Sequence, residues 1–170
     1  MAITRLNNNS ITSITALPSA VAVENQPAFL AYLNANQEIS SGVDTKVQFD
    51  TEVYDTDGCY DNSTNYRFTP TTAGKYFVFT EVLCNANSNS NLAQARAFIF
   101  KNGSKYDWSV TNFSSNNAKY STITLDSIID FNGSTDYVEV YSLITDTSGT
   151  PNILGTTAPI HCRFGAYKLI

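Results

Sequence analysis

Residues 75–84 read KYFVFTEVLC. This is a long strand, and its aromatic-rich start follows Gly74, a natural turn residue. Strand and turn continue outward from it in both directions. Upstream, 27–34 (PAFLAYLN) is a short aromatic strand. Residues 43–54 (VDTKVQFDTEVY) put Val43, Val47, Phe49 and Val53 on one parity, the alternation of a half-buried strand, with a bend where Thr45 breaks the pattern. The Asp, Asn and Gly residues of 55–65 (DTDGCYDNSTN) mark a loop. Downstream, 85–91 (NANSNSN) is a polar loop, and 94–108 (QARAFIFKNGSKYDW) is strand, turn, strand around the hairpin pair Asn102-Gly103. Residues 119–131 alternate through Tyr120, Thr122 and Thr124 and shift parity near Leu125. Asn132-Gly133 turns the chain into a strand at 136–144, and 161–170 (HCRFGAYKLI) is a last strand carrying Phe164, Tyr167, Leu169 and Ile170. No helical period is sustained, and no repeat is visible. Many short strands joined by Gly, Asn and Pro turns predict an all-β sandwich or jelly roll.

The 170 residues allow one ordinary domain plus an appendage. Hydrophobic residues make up 42% and charged residues 15%, the latter well below the ~25% of an average soluble protein. Asn, Ser and Thr replace the missing charge, which suits a chain that packs against other chains. A net charge of −5 with scattered basic residues argues against a nucleic-acid partner. The lack of a ~20-residue apolar run argues against a membrane span. The stretch 11–23 (ITSITALPSAVAV) is apolar and uncharged and differs from everything after it. It makes a poor secretory signal: Arg5 is the only basic residue before it, Asn7, Asn8, Asn9 and Ser10 intervene, and Pro18 interrupts it.

Taken in order, the motifs resemble the C1q/TNF-like domain family. They are AFLAYL, VQFDTEVYDTDGCYD, YRFTPTTAGKYFVFTEVL, FIFKNGS, ITLDSIIDFNGSTDYVEVYSL and a closing FGAYKLI. The likeness covers about residues 27–170. It departs from the family at Asn132–Asp136, where a Gly-Asp is usual, and at 164–167 (FGAY), where an FSGF-like element is usual; collagen repeats are absent from the chain. The resemblance implies a ten-stranded C1q/TNF-like jelly-roll sandwich (27–170) that assembles as a compact homotrimer; residues 1–26 lie ahead of it and read as an extended N-terminal anchoring arm. Carried over by position, Phe29, Tyr32, Tyr141, Phe164 and Tyr167 are trimer-interface candidates, and the protomer's own core is the other reading for each. The segment LNNNSITSITALPSAV also resembles N-terminal segments of tailed-bacteriophage structural proteins.

Catalytic signals are weak. The one histidine, His161, adjoins Cys162, and neighbours on a strand point to opposite faces, so a dyad is not expected; a strand-edge or interface role is. The carboxylate pairs Asp44/Asp50, Asp55/Asp57 and Asp126/Asp130 do not by their spacing show a cleft. The 55–58 loop (DTDG) is either a calcium candidate or an ordinary turn, and no Glu closes a twelve-residue loop. Cys59, Cys84 and Cys162 read as buried hydrophobes or as one bridge plus a free thiol. No cofactor, no metal and no enzymatic activity are expected.

The leading expectation is a virion structural protein: a trimeric capsid decoration (cement) protein of a phage, assembled in the host cytoplasm. Its arm, through Ile11, Ile14, Leu17, Val21 and Val23, would grip the major capsid protein or another virion protein and stabilise the shell. The alternative is a receptor-binding or fibre-tip module, with Tyr106 and Trp108 stacking on host glycan; for Trp108, packing under the following loop is the competing reading.

Overall fold

The computed structural model describes residues 26–87, 90–113 and 115–170. The arm residues Ile11, Ile14, Leu17, Val21 and Val23 lie outside the described residues. Thirteen strands are present among those described, five of them only two residues long, where the resemblance implies ten. They are β1 (Ala28–Tyr32), β2 (Gln37–Glu38), β3 (Thr45–Lys46), β4 (Thr51–Asp55), β5 (Tyr60–Asp61), β6 (Arg67–Phe68), β7 (Gly74–Asn85), β8 (Leu92–Lys101), β9 (Ser104–Asn112), β10 (Tyr120–Phe131), β11 (Val138–Asp146), β12 (Asn152–Ile153) and β13 (Arg163–Lys168).

Two antiparallel sheets pack face to face. In the first, β10 pairs along the whole of β7; the other side of β7 pairs with β12 and β13, followed outward by β1 and β4. The second runs β5-β6-β11-β8-β9, with β3 also on β11. The β8–β9 turn is the expected two-residue hairpin: Asn102 (φ 51°) and Gly103 (φ 77°) both have positive φ, the backbone a type I′ turn requires. The Asn102 side chain then ties the turn to the next strand, accepting from the Tyr137 amide at 2.9 Å and donating to Asp136 Oδ1 at 2.8 Å.

Aromatic rings fill one end of the core. Phe29 of β1 lies stacked against Tyr60 (4.5 Å between ring centroids) and Phe68 (4.6 Å), with Phe164 edge-on at 4.9 Å. Because Phe29 and Phe164 come from the first sheet and Tyr60 and Phe68 from the second, these contacts join the two layers. Burial this complete answers the question left open for Phe29 and Phe164. Both have no solvent exposure within a single protomer, so they belong to its own core and to no interface.

Two further expectations are corrected. Residues 43–54 are not one strand: β3 pairs in the second sheet and β4 in the first, so the chain crosses between layers and the parity resets. Val47 and Phe49 are buried, whereas Val43 and Val53 are about half exposed. No parity shift occurs in β10. Ile123, Leu125, Ile129 and Phe131 all face inward, while Ile128 faces outward at 56% exposure. At the C-terminal end Phe164 is buried, but Tyr167, Leu169 and Ile170 are exposed.

The loop after β5 is organised by one carboxylate. Asp61 accepts from the amides of Thr64 (2.9 Å), Ser63 (3.1 Å) and Asn65 (3.1 Å) and from the Asn65 side chain (2.7 Å). These donors, the Thr64 amide first, hold its carboxyl far below the usual carboxylate range. A folded pKa below the unfolded one means that the stabilisation is complete at neutral pH. It is lost only as pH falls below the unfolded value, near 4, towards the depressed folded one. An acid titration followed by carboxyl-carbon NMR therefore finds Asp61 still ionised at pH 3, where exposed carboxyls are largely protonated; a midpoint near 4 would contradict the geometry. Replacing the central ring, Phe29→Ala, lowers unfolding free energy by ~3–5 kcal/mol in denaturant melts.

Candidate functional site

An outward row of side chains on the first sheet breaks the usual rule for an exposed surface. In β7 the inward parity is Tyr76, Val78, Thr80 and Val82, yet the outward parity also carries Phe77 and Phe79. Ladder register extends these rings sideways. Phe77 lies opposite Ile128 of β10 and Tyr167 of β13, which in turn faces Ala28. Phe79 lies opposite Gly165, which faces Leu30, which faces Tyr54. Phe77 packs on Phe79 (6.0 Å) and Tyr167 (5.4 Å). Ile128 and Tyr167 keep 56% and 44% of their surface exposed.

Gly165 makes this face possible. A Cβ there would stand 2.5 Å from Cζ of Phe79 and 3.0 Å from the Phe29 carbonyl oxygen. The absent side chain lets the Phe79 ring lie across β13. Ion pairs bracket the apolar rows: Lys75–Asp130 (2.7 Å) on one side and Arg163–Glu81 (2.5 Å) on the other. A shallow depression of about 340 Å³ opens beside Phe79, between Glu81, Thr124, Asp126 and Arg163. Exposed pairs of this kind contribute ~0–1 kcal/mol each, so their effect is orientation more than strength.

The five expected interface residues do not form one patch. Tyr32 and Tyr167 point outward from the first sheet, Phe29 and Phe164 point inward, and Tyr141 lies on the other sheet, stacked on Phe100 at 4.1 Å. Phe77, Phe79, Leu30 and Ile128 complete the outward face although none is among the interface candidates the family pattern implies. Their signal is in the sequence: KYFVFTEVLC is apolar on both parities at its start, the mark of a strand covered on both faces.

Most of the carboxylates singled out in the sequence hold turns and ion pairs. The Asp55 carboxylate accepts from the Tyr60 amide (2.8 Å) and that of Asp57 accepts from Thr71 Oγ1 (3.1 Å), so both hold the turn. Asp44 pairs with Lys105, Asp50 accepts from the Asn34 amide, and Asp130 pairs with Lys75. Among the described residues no three metal-ligating side chains cluster. All three cysteines are free and buried. Burial pushes the Cys84 and Cys162 thiols up to about 12, and Cys162 Sγ is occupied by the Leu83 amide (3.1 Å) and the Leu154 carbonyl (3.1 Å), which removes it as a partner for His161. Trp108 and Tyr106 lie on β9 at 54% and 50% exposure, so Trp108 is not packed under the following loop.

Comparison with known proteins finds the same architecture. No family model matches the sequence, and no curated protein does. Among solved structures, the globular domain of the zebrafish complement 1qA protein superposes with TM-score 0.60 at 10% identity, covering 85% of this chain and 98% of that one. Murine APRIL superposes with TM-score 0.61 at 11% identity, covering 85% and 99%. Eiger TNF from S. frugiperda superposes with TM-score 0.56 at 11% identity, covering 85% and 93%. The chain has the C1q/TNF-like jelly-roll fold.

Proposed function

We propose that this chain is a binding and assembly module, a homotrimeric decoration protein of a phage virion. The observation that carries the assembly half is the apolar outward face of the first sheet. Phe77, Phe79, Ile128, Tyr167 and Leu30 form contiguous rows, and large contiguous apolar patches on soluble proteins mark interaction surfaces. A ring of three needs two different patches per protomer, because a rotational contact other than a two-fold is heterologous. The first-sheet face supplies one of them, and its ion pairs set orientation. The count of three comes from the family resemblance.

The virion half rests on the sequence of the first 26 residues. A Thr/Ser/Ile/Val strip with no charge suits an extended segment laid on a partner, where its backbone extends a sheet edge and alternate side chains fill apolar slots. Ile11, Ile14, Leu17, Val21 and Val23 are the anchoring side chains in this reading. Three arms per knob raise avidity well beyond that of one arm. The major capsid protein is the proposed partner.

Sedimentation tests the assembly. Ile128→Glu puts a charge at the β10 end of the apolar face, and the trimer peak gives way to folded monomer; a stable trimer would mean that the face is not the interface. Gly165→Val drives the Phe79 ring out of its seat and weakens the trimer by at least tenfold in dissociation constant, more than it lowers the protomer's melting temperature would suggest. Deletion of residues 1–26 leaves a soluble trimer that no longer co-sediments with capsids; full decoration by the truncated protein would dismiss the arm.

A further inference from the structure

The outer face of the second sheet carries a second, differently built surface. Its aromatic residues form a ladder. Phe100 stacks on Tyr141 at 4.1 Å, and Phe98 packs edge-on to Phe100 at 6.2 Å. In the register Phe98 lies opposite Trp108. Most of the ladder is closed off by cations: Lys105 Nζ lies 4.5 Å over Phe98, which is only 2% exposed, and Lys46 Nζ lies 5.8 Å over Tyr141. The Trp108 end stays exposed although Arg96 stands over one side of its ring. Its indole is 54% exposed and is held on a strand whose ladder fixes its position.

Beside that indole stands a cation with no counter-charge. Lys46 is paired with Glu139 (2.6 Å) and Lys105 with Asp44 (2.7 Å). Arg96 has no carboxylate partner among the described residues; its guanidinium carbon lies 5.5 Å over the Trp108 ring and its buried Nε makes no hydrogen bond. The chain is acidic overall at −5, so an unpaired guanidinium on an aromatic platform is a local reversal of its electrostatics.

We infer that Trp108 and Arg96 form a subsite for an acidic sugar. The exposed indole stacks on the C–H face of a pyranose ring, and the guanidinium takes the ring carboxylate. A planar fork matches carboxylate geometry, and an aromatic held by the sheet loses little freedom on binding. Charge complementarity selects uronic-acid polymers over neutral glycans. The face belongs to the sheet opposite the apolar face proposed for assembly, and the inference stands or falls apart from capsid decoration.

Trp108 is the only tryptophan, which makes its fluorescence a reporter of this one place. The full-length protein is titrated with oligogalacturonate and, separately, with a neutral galactose oligomer of equal length. The acidic oligomer gives a saturable change at roughly tenfold or more lower concentration than the neutral one, and added salt erases the difference. Arg96→Gln, checked for folding by its melting curve, binds both oligomers alike, and Trp108→Ala loses both by calorimetry. Absence of a saturable response to oligogalacturonate, equal affinity for the two oligomers in the unmodified protein, or unchanged acidic preference in Arg96→Gln would each overturn the inference.

Discussion

The structure depends on the Phe29 ring. It is stacked between Tyr60 and Phe68 and meets the edge of Phe164, so strands from both sheets converge on one side chain. Offset and edge-on aromatic contacts add ~0.5–1.5 kcal/mol per pair beyond the area they bury. Their larger consequence is positional. The chain crosses to the first sheet between β3 and β4 and returns to the second for β5, where the Tyr60 hydroxyl ties it back to the first crossing by donating to the Phe49 carbonyl at 2.9 Å. Burial raises the Tyr60 phenol well above its usual range and keeps it a donor. The short β5 and β6 segments exist to bring Tyr60 and Phe68 to this stack.

The two outer faces treat the same kind of residue in opposite ways. On the second sheet, long cationic side chains lie over the rings, their stems covering apolar surface while the charged heads stay wet. On the first sheet the rings of Phe77, Phe79 and Tyr167 have only each other, and the charges stand at the borders of the patch. Most of the second sheet's rings are thus sheltered by the protein's own side chains, whereas the first sheet offers a broad bare apolar face. Gly165 sharpens that face by letting Phe79 lie flat, so it is shaped as well as apolar.

Local signals in the sequence carried the fold further than the site. The Asn102-Gly103 hairpin, the long β7 strand and the closing β13 strand each follow from residues adjacent in the chain. Parity failed where it depended on which sheet a residue joins. Val43 and Val53 share parity with Val47 and Phe49 but flank a crossing, so the alternation there has no single meaning. β10 keeps one parity throughout, and Ile128 is an apolar residue facing outward from it. Phe29 and Phe164 sit in the protomer's core and Tyr141 on the second sheet, because aromatic identity does not say which side of a sandwich a ring occupies. Arg96 and Trp108 are twelve residues apart and meet only through the β8–β9 register.

β13 lies between β1 and β7, so the middle of the first sheet is supplied by the latest strand of the fold. Until residues 163–168 are available, β1 has no partner on its inner side and Phe29 has no Phe164 to rest against. Pairing across such sequence distance makes folding slow, because loop closure precedes any reward. A ribosome-bound chain lacking β13 would hold the β7–β10 pair with one edge of β7 bare. Synthesis thus delivers the fold nearly all at once, late, and with an aggregation-prone edge exposed until then.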